Sequence, residues 1–434
     1  MKIPQFIRNN MLLKMTSLNA PVIIVRQVIS LFIRRLIAEN FGESGIFLQG
    51  QLRSLVQLLT SFSSLGIFNG VVKYISEYKE EEEKLRHLFS TTFVFTTVGT
   101  IASAMGLLFW CETISQYLFN STSYTFLIQL MAVMVPFISL QRVFNGVING
   151  LSQYKKFAKI DMVSYLVSSA LTLYFLYEKN FDGVLISIAV TPLIQLVVLL
   201  WVFTKTLKEY ITYKNFVFKA PMAKLFLAFS LMSFFSTVVL SSVEIEIRNL
   251  VLRKISENDA GIWSAMLDLS KNYMAFSTIL FTMYVIPKFA VINTKQLFFK
   301  EMGHVYKTIL PLFGFGMLLV YLFKGFIIDL IFPGFDEMSP LFKWQLIGDF
   351  VRLIGMVLSY YFISKKLVYH FIFTEILSIG LFYVFARYFI DIYGVEGVVI
   401  GHFVRYIVYL LVVFFLVYRY INTNNISSNE TLDE

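Results

Sequence analysis

Cysteine is nearly absent. Cys111 stands alone among 434 residues, so no disulfide can form within the chain. Histidine is scarce too: the four are His87, His304, His370 and His402, and no cluster of zinc-ligand spacing exists. Acids and bases make up only 15% of the residues, against about 25% in a soluble globular domain. No basic run with interleaved aromatics stands apart from the apolar segments, which argues against nucleic acid as a partner. The nucleotide-binding signature G-x-x-x-x-G-K-[ST] is missing. No metal or cofactor is expected, and no nucleophile–base constellation is visible.

What the chain does have is apolar surface. Hydrophobic residues reach 57% and aromatics 17%, more than one water-soluble core can hide. An integral membrane protein follows. A window of about 20 residues finds spans near 12–36, 46–70, 88–110, 124–147, 160–178, 184–204, 223–247, 261–287, 305–328, 342–363, 369–390 and 397–418. A β-barrel strand needs only about 10 alternating residues, and these runs are longer and continuous. Lys2, Arg8 and Lys14 precede the first run. That run contains Arg26 and lacks a small-x-small cleavage site, so it reads as a retained helix. The fold class expected is an all-α polytopic membrane protein with twelve transmembrane helices.

The loops alternate in charge. Those after even-numbered spans hold Lys79, Lys84 and Arg86, then Lys155, Lys156 and Lys159, then Lys205, Lys208, Lys214 and Lys219, then Lys288, Lys295 and Lys300, then Lys365 and Lys366. The opposite loops hold few: Arg34, Arg35, Lys179, Arg253, Lys254 and Arg387. The net charge of +9 is therefore a topology signal, and it places both termini in the cytoplasm. The longest and most basic connection, 205–222, divides the chain into a six-helix lobe over 1–204 and another over 223–420, with a disordered tail over 421–434. FNGV occurs at 68–71 and again at 144–147, and each copy completes a G-x-x-x-G (Gly66/Gly70, Gly146/Gly150). Close helix packing is the plain reading of that echo.

Polar residues fall on one face of several spans, at about 100° per residue. The first carries Thr16, Asn19, Arg26, Ser30 and Arg34; the second Gln49, Arg53, Gln57, Thr60 and Ser64; the seventh Ser230, Ser233, Thr237, Ser241, Glu244 and Arg248. The eighth carries Ser264, Asp268, Lys271 and Asn272; the tenth Gln345, Asp349, Arg352 and Tyr360; the twelfth His402, Arg405, Tyr406 and Tyr409. A charge at the centre of a lipid-facing helix costs about 2.5–3.5 kcal/mol on insertion scales. The stripes are expected to face a hydrated cavity. Asp349 with Arg352 and Asp268 with Lys271 are i, i+3 pairs that can neutralise one another. Arg26 and Arg53 have no acid in their own spans, so the first lobe reads as cationic at mid-depth. Such a cavity suits an anion, and phosphate matches the guanidinium fork. Arg142 lies near the cytoplasmic mouth of span four, and Glu375 near the same side.

GIFNGVVKY (66–74), WQLIGD (344–349), Glu375 within FTEIL, and the early Arg26 and Arg53 resemble the bacterial lipid-linked oligosaccharide flippases. These belong to the multidrug/oligosaccharidyl-lipid/polysaccharide exporter superfamily. The likeness is greatest to flippases of O-antigen units and of enterobacterial common antigen lipid III. The resemblance implies two six-helix lobes around a central cavity, alternating access, and an undecaprenyl-diphosphate-linked glycan as cargo. One departure is in span eight, where relatives of the lipid III type carry Asp at the position aligned with Lys271, while here Asp268 precedes it by one turn.

The expected function is translocation of that glycolipid from the cytoplasmic to the periplasmic leaflet of the inner membrane. Arg26, Arg53, Lys271, Arg405, Arg352, Gln57 and Tyr360 are the candidate diphosphate and sugar contacts. Asp268, Asp349, Glu244 and Glu375 are candidates for ion coupling, and Arg142 for an inner gate. An O-antigen polymerase and a chain-length regulator are the expected protein partners, beside the bilayer itself. Two rivals remain. An ion-coupled drug antiporter of the same superfamily would favour an acidic cavity. A membrane polysaccharide polymerase or ligase would call for a sizeable outer loop, and the outer loops here are short.

Overall fold

The computed structural model describes residues 11–210, 218–281, 285, 288, 289, 292, 294–365 and 367–423; of the tail expected over 421–434, residues 421–423 are helical and the rest lies outside the described residues, as does part of the basic connection. Everything regular in the described residues is helical. The first helical run, α1 (Met11–Phe62), covers the first expected span and most of the second. It is broken at Gly42, whose φ of 60° is open to glycine at no steric cost. Then follow α2 (Phe68–Tyr78), α3 (Glu82–Phe109), α4 (Cys111–Phe119), α5 (Thr125–Gly150), α6 (Tyr154–Tyr177) and α7 (Phe181–Tyr210). The seventh expected span is α8 (Ala223–Ser233), a π-helical stretch over Phe234–Val239, and α9 (Leu240–Lys254). The rest is α10 (Glu257–Leu280), α11 (Lys295–Leu322), α12 (Lys324–Ile331), α13 (Leu341–Ser364), α14 (Val368–Tyr393) and α15 (Val395–Thr423).

Nine helices among the described residues are long and apolar enough to cross a membrane. The three expected spans outside that set are the first, second and eighth. They are the two arms of α1, with Arg26, Arg34, Arg35 and Arg53, and α10, with Asp268 and Lys271. Their polar faces dilute the apolar character by which a span is recognised.

The chain forms two compact units, residues 1–41 with 48–245 and residues 42–47 with 246–434. The first is built on a cluster in which Val71, Tyr74 and Ile75 of α2 meet Leu88 of α3, Val147 and Ile148 of α5, Phe203 of α7 and Phe226 of α8. The repeated FNGV lies at its centre. A Cβ at Gly146 would come 3.1 Å from Val71, and one at Gly150 would come 2.8 Å from Ile75 and 2.9 Å from the Val72 carbonyl. A Cβ at Gly70 would meet the Phe226 ring at 2.9 Å. The two copies thus let α2 and α5 approach closely, as small residues do in membrane bundles.

Gly150→Ala is expected to lower stability by about 1–3 kcal/mol, the usual cost of overpacking. Gly106, with nothing within 4 Å of an added Cβ, serves as the control. Gly106→Ala should leave the melting temperature in detergent equal or higher.

Candidate functional site

The first unit holds a polar cavity of about 390 Å³ within its own helices. Arg53 of α1 and Arg142 of α5 line it, together with hydroxyl and amide groups from α1, α5, α6 and α7. Gln141 donates to Gln195 at 2.8 Å across this lining. The Arg142 guanidinium rests on the Phe68 ring, 3.7 Å from its centroid. Both polar atoms of the Gln49 amide and the Ser168 hydroxyl are buried without a protein partner, and both residues line the cavity. Buried polar groups are as a rule hydrogen-bonded, so these call for water or a bound hydroxyl. No carboxylate occurs among the residues that line the cavity.

Arg26 contradicts one expectation. Its Nη1 lies 2.6 Å from Asp161 of α6, so the first lobe is not cation-only. The partner is 135 residues away, on a different helix, and a search within each span misses it. Tyr165 donates to the Arg26 carbonyl at 3.0 Å, carries the guanidinium over its ring, and also lines the cavity. Gln57, one residue after the lining Val56, is exposed. Glu244 is buried on α9.

In the second unit the pair within WQLIGDFVR separates. Asp349 is fully buried, and its Oδ1 lies 3.0 Å from His402 Nε2. Its Oδ2 accepts from Ser270 at 2.6 Å, Tyr273 at 2.5 Å and Gln345 at 3.0 Å. Arg352 instead lies over the Tyr406 ring, 5.6 Å from its centroid. The i, i+3 spacing allowed an ion pair, but Ser270, Tyr273, Gln345 and His402 occupy both carboxylate oxygens. The motif is thereby explained: Asp349 holds His402, Gln345 donates to Asp349, and Trp344 donates to Glu396 at 2.8 Å. Gly348 supplies the space, since a Cβ there would lie 2.7 Å from the His402 ring.

Arg405, also buried, donates to the Tyr406 hydroxyl at 2.6 Å and lies between the Phe382 and Tyr406 rings. Its Nε and Nη1 have no hydrogen-bond partner. Glu375 of α14 is within electrostatic reach of both Arg352 and Arg405. Tyr360 packs on Phe281, with centroids 5.3 Å apart. Asp268 is half-buried and Lys271 exposed on α10. Sequence reasoning placed His402 on the polar stripe of the twelfth span but did not see it as the partner of Asp349. Asp161, Ser270 and Tyr273 were likewise missed, because only the tertiary fold brings them to their charges.

Asp349→Ala should destabilise the protein far more than Arg352→Ala. Each buried donor left without its acceptor costs about 1–3 kcal/mol. Equal losses in thermal unfolding of the two variants would mean that they act as a pair.

The chain is 27% identical over 381 residues to a lipid III flippase of Escherichia coli K12, covering 87% of this chain and 91% of that protein. The lipid III flippase of Shigella flexneri matches to the same extent. Among solved structures, an inward-facing multidrug resistance MATE family transporter of the MOP superfamily superposes with a TM-score of 0.79 at 12% identity, over 95% of this chain and 100% of that one. An outward-facing MATE transporter gives 0.68 at 16% identity, over 98% and 99%. These structures show the fold, that of the MATE transporters. Residues 12–293 match the family described as polysaccharide biosynthesis protein, and with that match over more than half its length the chain is a member of the polysaccharide biosynthesis protein family.

Proposed function

We propose that the protein is a flippase that carries an undecaprenyl-diphosphate-linked oligosaccharide from the cytoplasmic to the periplasmic leaflet by alternating access. The observation that carries this reading is the cationic, hydroxyl-lined cavity of the first unit. Arg53 and Arg142 offer charge-assisted donors to a diphosphate, and such hydrogen bonds are about twice as strong as neutral ones. Gln49 and Ser168, whose polar atoms lack protein partners, suit the hydroxyls of a sugar. Arg26 sits beside this cavity through Tyr165, held by Asp161 until a stronger anion competes for it.

Arg352, Arg405, Lys271 and Tyr360 are the contacts we assign to the second lobe, which begins after the basic stretch 205–222. Each lobe then offers its own contacts to the cargo. Cargo shifts their equilibrium only by the difference in its affinity for the two states. The Lys and Arg distribution favours the inner membrane topology with cytoplasmic termini. The relatives named lipid III flippases support a lipid-linked glycan as cargo. An O-antigen polymerase and a chain-length regulator fit as neighbours in the same pathway. A drug antiporter with cationic cargo is disfavoured, because no carboxylate lines the cavity.

Arg53→Ala and Arg142→Ala are expected to cut translocation by roughly 10- to 100-fold. That range corresponds to the about 1.5–3 kcal/mol of a hydrogen bond to a charged group. Accessibility of a labelled glycolipid in the outer leaflet, at matched protein levels, gives the answer. Unaltered translocation in both variants would refute the reading.

A further inference from the structure

The contacts of His402 do not fit a single proton arrangement. Its Nε2 lies 3.0 Å from the acceptor Asp349 Oδ1 and 3.2 Å from the donor Gln345 Nε2. One ring nitrogen cannot donate and accept at once. The carboxylate requires a proton on Nε2, and Gln345 has its own acceptors in Asp349 Oδ2 at 3.0 Å and Ser270 at 3.2 Å. The ground arrangement is therefore Nε2–H donating to Asp349. Nδ1 is then a lone pair, for which no hydrogen bond is found among the described residues.

We infer that His402, oriented by Asp349, is a proton-binding site in the second unit, and that its protonation is linked to binding of an anionic diphosphate headgroup by Arg352 and Arg405. The inference rests on the reading of those two arginines as headgroup contacts. A hydronium ion of the medium gives a proton to the Nδ1 lone pair: one O–H bond of the hydronium breaks, an N–H bond forms and a water molecule leaves. The imidazolium remains paired with the Asp349 carboxylate.

The charges that face the dyad come from each helix packed on it. On α13, Arg352 lies one turn beyond Asp349. On α15, Arg405 lies one turn beyond His402, and the Tyr406 ring is 4.9 Å from the imidazole. On α10, Tyr273 and Ser270 donate to Asp349, with Asp268 and the exposed Lys271 on the same helix. On α14, Glu375 reaches both guanidinium groups, and the Phe382 ring lies 5.9 Å from the imidazole. On α11, Tyr306 is turned away to the Ile354 carbonyl at 2.9 Å.

With both carboxylates ionised, the two arginines are balanced and a neutral His402 adds nothing. A proton on His402 leaves the cluster one positive charge in surplus, beside the two Arg405 nitrogens that have no partner. A diphosphate neutralises that surplus. Proton and headgroup therefore favour each other, and by linkage each raises the affinity for the other by the same factor.

The test measures binding of undecaprenyl diphosphate to the purified full-length protein in detergent, between about pH 5 and pH 8, the range in which histidine titrates. Binding by the wild type should tighten by about tenfold more on acidification than binding by His402→Gln, a coupling of about 1.4 kcal/mol. The comparison removes the titration of the ligand's own phosphates. In weakly buffered solution, ligand addition should draw protons from the medium with the wild type and fewer with His402→Gln. Should that variant not fold, the ring nitrogen signals of the wild type replace it. One histidine should then protonate on ligand addition at constant pH. The same acid response in both proteins, or no histidine protonation with ligand, overturns the inference while leaving the flippase reading intact. No binding by the wild type at any pH overturns the headgroup reading, and this inference with it.

Discussion

A polar group that cannot reach water must find its partner inside the protein, and in a bilayer that rule has few exceptions. Much of this molecule's polar interior answers to it. Arg26 is met by Asp161 and Tyr165, and Asp349 by four separate donors or donor-capable groups. Arg248, fully buried, donates to Ser264 and lies over the Trp263 ring. The places where the rule is left open are then informative. Gln49 and Ser168 open onto a cavity, and Arg405 keeps two unspent donors beside aromatic rings. The proposed flippase function would place the phosphates and hydroxyls of its cargo at these unpartnered groups.

The two units meet this need differently. The first offers cations without lining carboxylates, and it surrounds them with short hydroxyl side chains. Its charge is fixed, because guanidinium groups do not titrate in the physiological range. The second mixes signs and includes an imidazole, the side chain whose charge changes most readily near neutrality. Under the proposed function, the first unit recognises the anion, and under the further inference the second records whether one has arrived.

How much of this was readable in the amino-acid order depended on distance along the chain. Hydropathy alone finds helices such as α5 and α15, because each is continuous and apolar. The polar stripes were visible too, since helical periodicity is a local property. The partners were not. Asp161 follows Arg26 by 135 positions and His402 follows Asp349 by 53, and nothing in a single helix announces either meeting. The i, i+3 spacing of Asp349 and Arg352 brings their charges within electrostatic reach, but it gave no sign that Ser270 and Tyr273 on another helix donate to the carboxylate. The FNGV echo was read correctly as packing, although only the fold shows that the two copies sit against each other.

The π-helical stretch at Phe234–Val239 bears on this economy of faces. Such a turn holds more residues than an α turn, so everything downstream is rotated relative to a regular continuation. Deleting one residue there would let an ordinary helix run through. Glu244 and Arg248 would then swing about 100° around the axis of α9, away from the neighbours they now touch, while α8 stayed seated on the Gly70 surface. The seventh span is therefore phased by its length as much as by its composition.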